Sequence, residues 1–511
     1  MKTSVFYSLR SYMKTSVFYS LRSYMKILFI ASECAPIIKV GGLADVVGAL
    51  PKALKKLGVE VSVAIPFYQS IKPSYKPKLL KKGVAVRFGV KKEVFDLWQT
   101  FLPANNKAGD GQGLVSVFLI KNNKIFGKNV YFKKDATPRG SDGEAASFFF
   151  LSLAGIEVAK IIKADILHCH DWHTATVPFW CRGSKPGPKT VLTIHNLEYQ
   201  GVFGPGVIGR ILGIKRKESW NCLKRGILSA DIITTVSPSY AKEILTDEFG
   251  AGLQGFLRER KKSLIGILNG LDTDEFDPRK DLALKSAYSV GGFGGKAADK
   301  EFLQGRFFGK ADRQIPVLGM VSRLTDQKGI DLLMEIFEDL MAQDLQLIVL
   351  GTGADKYENF FKRMTKKFPR KFRAKLLFDE RLARQIYAGS DIFLMPSFFE
   401  PCGLGQQIAM RYGTVPVARA VGGLKDTVKN FAGHGGETGF LFEKYDSRDF
   451  LQTIKRALNA FQNKEVWRQI QLNGMRQDFS WEKSAKAYLS LYKELLFPLE
   501  VPQDHCCSGS T

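Results

Sequence analysis

Short continuous apolar runs alternate along this chain with longer stretches in which apolar residues return every three or four positions. The runs include KILFIAS (26–32), VEVSVAIP (59–66), ADILHCHD (164–171), VLTIHN (191–196) and DIITTVS (231–237). A second series follows: PVLGMVSRL (316–324), LQLIVLGTG (345–353), AKLLFD (374–379) and DIFLMPS (391–397). Runs of that length, rich in Ile and Val and closed by Gly, Asp, Asn or Ser, predict strands buried on both faces. The periodic stretches predict helices over 42–57, 148–162, 329–342 and 381–389. Strands alternating with helices predict an α/β protein with parallel, doubly wound sheets, whose ligands sit beyond the C-terminal strand ends. Between about 75 and 140 the chain instead alternates short strands with Gly, Asn and Lys turns.

The pattern divides into two α/β halves. A first domain is expected over 25–275, a linker containing the glycine-rich SVGGFGG over 276–315, and a second domain over 316–475. Residues 1–24 are a perfect tandem of MKTSVFYSLRSY. Two such units are too short to bury a core, and they lack the apolar centre of a signal peptide. They are expected to be a disordered or mis-assigned extension, with Met25 as the functional start. The tail 498–511, ending HCCSGST, is also expected to be disordered.

Composition changes this picture little. In 511 residues, 45% are hydrophobic and 24% charged, ordinary values for a globular protein. Seven cysteines show no paired spacing and no Cys/His metal pattern, which predicts a reducing, cytoplasmic setting and no metal. No apolar run stands out as membrane-spanning. The formal charge of +25 favours anionic partners in general, yet only 362–375 is a dense basic patch and no nucleic-acid motif accompanies it. The charge reads as a solvated surface that also steers an anionic substrate.

The densest chemistry lies in FFEPCGLGQQIAMRYGTVPVARAVGGLKDTV, 398–428. A carboxylate, Glu400, stands where a strand ends, and small residues then open a helix. Carboxylates accept hydroxyl hydrogen bonds, and the first helical turn leaves backbone N–H groups unpaired. Together they suit a polyhydroxylated, partly anionic ligand such as a sugar nucleotide; the bland alternative is a helix cap with packing glycines. Arg323 and Lys328, in SRLTDQKG, pair a donor fork with a mobile point charge, a combination suited to a diphosphate. Four of the six histidines lie within 168–195, but no further ligand spacing supports a metal there.

These segments, in order, resemble the bacterial glycogen synthases and plant starch synthases. The resemblance rests on ASECAPIIKVGGLADVVGALPKAL (31–54), HCHDWHTATVP (168–178), TIHNLEYQGVF (193–203), TTVSPSYAKEI (234–244), GILNGLDTDEFDP (266–278), GKAADKEFLQ (295–304), VSRLTDQKGIDLL (321–333) and the block 398–428. It implies the GT-B architecture, two Rossmann-like domains facing a cleft, with a C-terminal helix over 476–497 crossing back to the first. It also implies a retaining glucosyltransferase that moves glucose from ADP-glucose to the end of an α-1,4-glucan such as glycogen, without a cofactor and without nucleic-acid or membrane partners. Carried over residue by residue, His173, Arg323, Lys328 and Glu400 are expected to be catalytic. Lys39, Gly41, Gly42, Asp45, Asp142, Asn269, Cys402 and Gly403 are expected to bind substrate. A covalent role for Glu400 is not implied, since no second carboxylate is evident as its partner.

The chain departs from the family in three places. Phe398 replaces an Arg, Gly405 replaces Asn or Thr, and after Asp142-Gly143 the usual Arg and Phe are Ala and Ser. Two other readings remain: a GT-B transferase with a different donor or acceptor, and a glucan-binding scaffold with degraded catalysis. The retained cationic pair and Glu400 weigh against the scaffold. A phosphorylase fits less well, because no pyridoxal-phosphate lysine motif is present.

Overall fold

The computed structural model describes residues 25–102, 114–131, 140–182, 187–215 and 217–498. The duplicated segment 1–24 and the tail beyond 498 lie outside the described residues. The first half supplies β1 (Lys26–Ile30), β2 (Glu60–Pro66), β3 (Lys78–Phe88), β4 (Lys91–Phe101), β5 (Ser116–Lys121), β6 (Ile166–His170) and β7 (Lys189–Ile194). It continues with β8 (Val202–Phe203), β9 (Trp220–Asn221), β10 (Ile232–Thr235) and β11 (Leu264–Gly266). The second half supplies β12 (Val317–Val321), β13 (Gln346–Leu350), β14 (Phe372–Lys375), β15 (Ile392–Met395), β16 (Val415–Arg419) and β17 (Phe440–Phe442).

Two sheets organise the molecule. The first runs β11-β10-β7-β6-β1-β2-β5-β4-β3, and the second runs β14-β13-β12-β15-β16-β17. The second is parallel throughout; in the first only β3, β4 and β5 pair antiparallel. Strand period explains the burial. Leu28 and Ile30 of β1 belong to one apolar cluster, whereas Ile27 and Phe29 belong to the cluster on the other face. A sheet covered on both sides needs such continuous apolar strands.

Helix Gly140–Ile162 fills one face with Phe148, Phe149, Phe150, Leu151, Ala154 and Val158. Gly155 lets it approach β1, since a Cβ there would lie 2.8 Å from Ile30 Cδ1. Over Asp142–Ile162 this helix is long and apolar enough to cross a membrane, with mean hydropathy 1.8, contrary to the reading of the sequence alone. Its apolar side chains form protein core, and 61% of the qualifying window is buried. Helix Trp481–Leu496 covers the other face. Its Trp481, Ala485, Tyr488 and Tyr492 cluster with Leu43, Val46, Val47 and Leu50 of helix Gly42–Lys56.

Tertiary packing reshaped several sequence expectations. The short strands expected between 75 and 140 include two of 11 residues, β3 and β4, paired antiparallel. The helix expected over 329–342 divides at Ile336 into Ile330–Glu335 and Phe337–Ala342. The strand expected over 374–379 lies earlier, at β14, which leaves Phe378 82% exposed.

The segment expected as a linker, 276–315, carries helix Gly294–Phe308, packed on helix Glu380–Gly389. Lys296 Nζ, buried, donates to Ala388 O (2.8 Å), Ser390 O (3.0 Å) and Thr414 Oγ1 (2.7 Å). A Cβ on Gly295 would sit 2.4 Å from Ala287 O, so this glycine serves close packing rather than looseness. The chain crosses between the two sheets at Leu271 and again at Ser480, and these residues bridge in parallel. Leu271 N donates to Phe479 O at 2.7 Å, and a Cβ on Gly270 would lie 2.6 Å from Trp481 Cα.

Candidate active site

The loops after β6, β7, β12 and β15 line one cleft of about 1050 Å3 between the sheets. Parallel strands place their C-terminal loops together, so residues distant in sequence meet there. The first unit contributes Glu33, Gly41, Gly42, Tyr131, Glu144, Asp171, His173 and the 195–203 loop. The second contributes Arg323, Gln327, Lys328 and Glu400 through Leu404, and Asn269 lines the cleft where the chain crosses.

On the first wall, His173 is buried beside the Tyr131 hydroxyl, 2.9 Å from its Nε2. Its ring stacks on Trp172 and meets Phe148 edge-on, with centroids 4.3 and 4.7 Å away. Its Nδ1 is buried and has no hydrogen-bond partner among the described residues. Burial, and then the neighbouring His195, push His173 down to about 3, so the imidazole stays neutral. Asp171 stands at the end of β6 with φ 53, a left-handed backbone uncommon for a non-glycine. Its Oδ1 accepts from His195 N (2.6 Å) and Asn196 N (3.4 Å), which ties the loop after β7 to β6. Burial pushes this carboxyl up to about 7 despite those bonds. Glu33 similarly folds the 40–41 turn back on itself, accepting from Val40 N (2.5 Å) and Gly41 N (3.1 Å). A Cβ on Gly42 would meet no neighbouring atom of the described residues within 4 Å, so their packing does not require that glycine.

The second wall is built by the turns after β12 and β15. Lys328 Nζ donates to Glu400 Oε2 at 2.6 Å, and Ser397 Oγ donates to the same oxygen at 3.0 Å. Arg323 Nη2 donates to Gln327 Oε1 at 3.3 Å, and Gln327 Nε2 reaches Phe399 O at 3.4 Å. The Lys328 turn seats on β15 because Gly329 has φ 66 and no Cβ; one would fall 1.9 Å from Pro396 O. Gln406 Nε2 holds the Glu400–Gly403 turn by donating to Cys402 O (3.0 Å) and Gly403 O (2.9 Å). The Lys328–Glu400 pair is mostly desolvated, with side chains 17% and 8% exposed.

Nine of the twelve sequence-predicted residues line this cleft: Gly41, Gly42, His173, Asn269, Arg323, Lys328, Glu400, Cys402 and Gly403. Lys39 and Asp45 are outside its lining and pair with each other at 2.8 Å. Asp142 is also outside it, held in a bidentate pair with Arg210 at 2.7 and 2.9 Å; Glu144, two residues on, lines the cleft instead. Sequence reasoning passed over Glu33, Tyr131, Glu144, Asp171 and Gln327. Glu33, Asp171 and Gln327 lie inside motifs already quoted, so a carboxylate or amide within them was the available signal. Tyr131 had none.

The departures from the family find local reasons. Phe398 does not line the cleft; its ring packs on Tyr445 and Phe249, centroids 5.0 and 5.9 Å away, beneath the Arg419 guanidinium. At Gly405 a Cβ would lie 3.2 Å from the Phe393 ring, which favours glycine where the helix meets β15.

Two facing α/β units, with a cationic loop on one wall and a carboxylate turn beside it, define a GT-B glycosyltransferase. Comparison with known proteins agrees. The family described as "Starch synthase catalytic domain" matches residues 26–259, and "Glycosyl transferases group 1" matches 305–471. Glycogen synthase of Clostridium novyi (strain NT) is 43% identical over 92% of this chain and 99% of its own. That of Anoxybacillus flavithermus (strain DSM 21510 / WK1) is 41% identical over 92% and 98%. The catalytic domain of starch synthase IV from Arabidopsis thaliana, bound to ADP and acarbose, superposes with TM-score 0.81 at 32% identity, covering 92% of this chain and 99% of that one. Sucrose-phosphate synthase from Thermosynechococcus elongatus shares the fold, with TM-score 0.57 at 17% identity. The chain belongs to the glycogen synthase and starch synthase family and is a retaining α-1,4-glucosyltransferase.

Proposed function

We propose that the donor is ADP-glucose and that the acceptor is the non-reducing end of an α-1,4-glucan such as glycogen. The observation that carries this reading is the single cleft lined by His173 from one unit and Arg323, Lys328 and Glu400 from the other. The first unit, about 25–275, takes the acceptor side, and the second, about 316–475, takes the nucleotide sugar. Arg323 and Lys328 bind the diphosphate, where negative charge grows as the bond from glucose C1 to the β-phosphate oxygen breaks. Glu400 and the N–H groups at Cys402 and Gly403 hold the donor glucose. His173, kept neutral by burial, presents an uncharged imidazole on the sugar side of the cleft. The acceptor hydroxyl attacks from the face the phosphate leaves, and its proton passes to the departing phosphate. Configuration is thereby retained without a protein nucleophile.

Gly42 offers its backbone N–H to the phosphates at the start of helix Gly42–Lys56, and Gly41, whose own N–H is held by Glu33, brings that turn close to them. Lys39, Asp45 and Asp142 are assigned secondary places at the rim, reached if closure opens their ion pairs. A cytoplasmic location is supported by five cysteines that stay unpaired among the described residues. Labelled ADP-glucose and UDP-glucose, offered separately with glycogen, test the reading. Incorporation from ADP-glucose is expected to exceed that from UDP-glucose; preference for UDP-glucose, or transfer to water alone, would overturn it.

A further inference from the structure

We infer that Glu243, Ser239 and Ser237 of the first unit are positioning residues for Glu400 of the second: the short helix that carries them holds the Glu400–Gly403 turn in shape across the unit boundary. Helix Pro238–Glu243 packs against helix Gly422–Thr427 from the other unit. The contact is reciprocal. Asp426 accepts from Ser239 N (2.8 Å) and Ser239 Oγ (2.7 Å), so a carboxylate of the second unit caps the first unit's helix. Glu243 Oε1 accepts from Gly422 N at 2.8 Å and caps the second unit's helix in return. Ser237 Oγ, itself buried, donates to Pro401 O at 2.6 Å.

Gly422 has no slack to move alone. Its φ is 43, and a Cβ would fall 2.1 Å from Glu400 O. Gly423 N donates to that same Glu400 oxygen at 3.0 Å, and a Cβ on Gly423 would fall 2.0 Å from Cys402 O. The backbone that Glu243 grips is thus the backing of the Glu400 turn. Its front bears the cleft, while Ser237 holds the next carbonyl. Farther along the boundary, Phe249 of the first unit meets Phe398, two residues before Glu400, with ring centroids 5.9 Å apart. A correctly seated first unit is therefore part of what shapes the donor-side carboxylate.

Glu243→Ala removes the acceptor for Gly422 N. Its kcat with ADP-glucose and glycogen is expected to fall about tenfold to a hundredfold, the range that small misplacements of catalytic groups cost. The donor KM should change less than about threefold, because the cationic loop is untouched. Without any substrate, amide hydrogen exchange at Gly422–Gly423 and Glu400–Gly403 should quicken. Glu243→Gln keeps an oxygen for the same N–H and should restore kcat to within about threefold of wild type. Unchanged kcat, or unchanged exchange at those amides, in Glu243→Ala overturns the inference, as does an equal loss in the Gln variant. If Glu243→Ala fails to fold, Ser237→Ala replaces it: slower turnover with quicker exchange supports the inference, and wild-type behaviour in either measurement overturns it. The activity readout rests on the donor reading above. A wild type inert with ADP-glucose fails that reading alone, since the exchange measurement needs no substrate.

Discussion

Arg323 and Lys328 carry the cationic side of the cleft, and each is expected to act mostly in the transition state. Removing one charge-assisted donor there costs about 3 kcal/mol, roughly a hundredfold in rate. Lys328→Ala and Arg323→Ala should therefore lose kcat by about two orders of magnitude while circular dichroism stays that of the folded protein; Lys328→Ala also lowers the thermal midpoint, because it leaves the desolvated Glu400 carboxylate unpaired. Wild-type turnover in both variants would refute their roles.

The histidines give a pH signature at the same scale. Burial pushes His168, His173 and His195 down to about 3 and His170 well below its ordinary value. Unfolding returns each toward 6.5, so the unfolded chain binds more protons below that pH and stability falls as pH drops. Asp171, pushed up to about 7, has the opposite sign: its penalty is absent below its ordinary 3.8 and grows as pH rises toward 7. Asp299, pushed up to about 6 by burial, acts in the same direction as Asp171. With four histidines against these two carboxyls, the urea midpoint should decline from pH 7 to pH 5, and His168→Gln should flatten the slope. A midpoint that climbs over that interval would contradict this balance. Glu400, Lys328, Arg323 and His173 were legible because each sits in a dense motif. Tyr131 was not, because its link to His173 spans 42 residues and exists only once β6 and the 122–131 turn are placed.

The strands were the legible elements, since burial on both faces forces long apolar runs into the sequence. Helix Trp481–Leu496 shows what an element does beyond its own propensity. Tyr492 OH lies 2.7 Å from His168 Nδ1, and His168 Nε2 lies 2.6 Å from Thr193 Oγ1, so the last helix is bonded into the middle of β6 and β7. Those strands end in Asp171 and His195. Tyr492→Phe leaves a buried ring nitrogen unpaired and should cost about 1–3 kcal/mol, read as a lower urea midpoint at pH 7. An unchanged midpoint would mean that water replaces the hydroxyl. Element boundaries followed tertiary demands instead: the helix broken at Ile336 and the early end of β14 have no mark in the local pattern.

For the whole molecule, the two crossings at Leu271 and Ser480 lie side by side. A paired crossing would serve as a hinge axis, with the contact between helices Pro238–Glu243 and Gly422–Thr427 as its pivot. Closure around that pivot would exclude water from the glucosyl group. Fluorophores at exposed Lys91 and Lys366, one on each unit, should move closer when ADP and a malto-oligosaccharide are added. One short distance with and without ligand would mean a preformed cleft and remove the need for a hinge.

The sequence by itself determined the two α/β halves, the order of their strands along the chain and nine of the residues that line the cleft. It could do so because strand burial and ligand-holding turns both leave contiguous local patterns. Only the tertiary structure decided that the 276–315 segment carries the packed helix Gly294–Phe308, and that Asp142 faces Arg210 while Glu144 takes the cleft. It also decided that Glu243 reaches Gly422 across 179 positions of sequence. Such contacts arise from the register of one unit against the other, and a long-range register leaves no periodic trace in the residues that obey it.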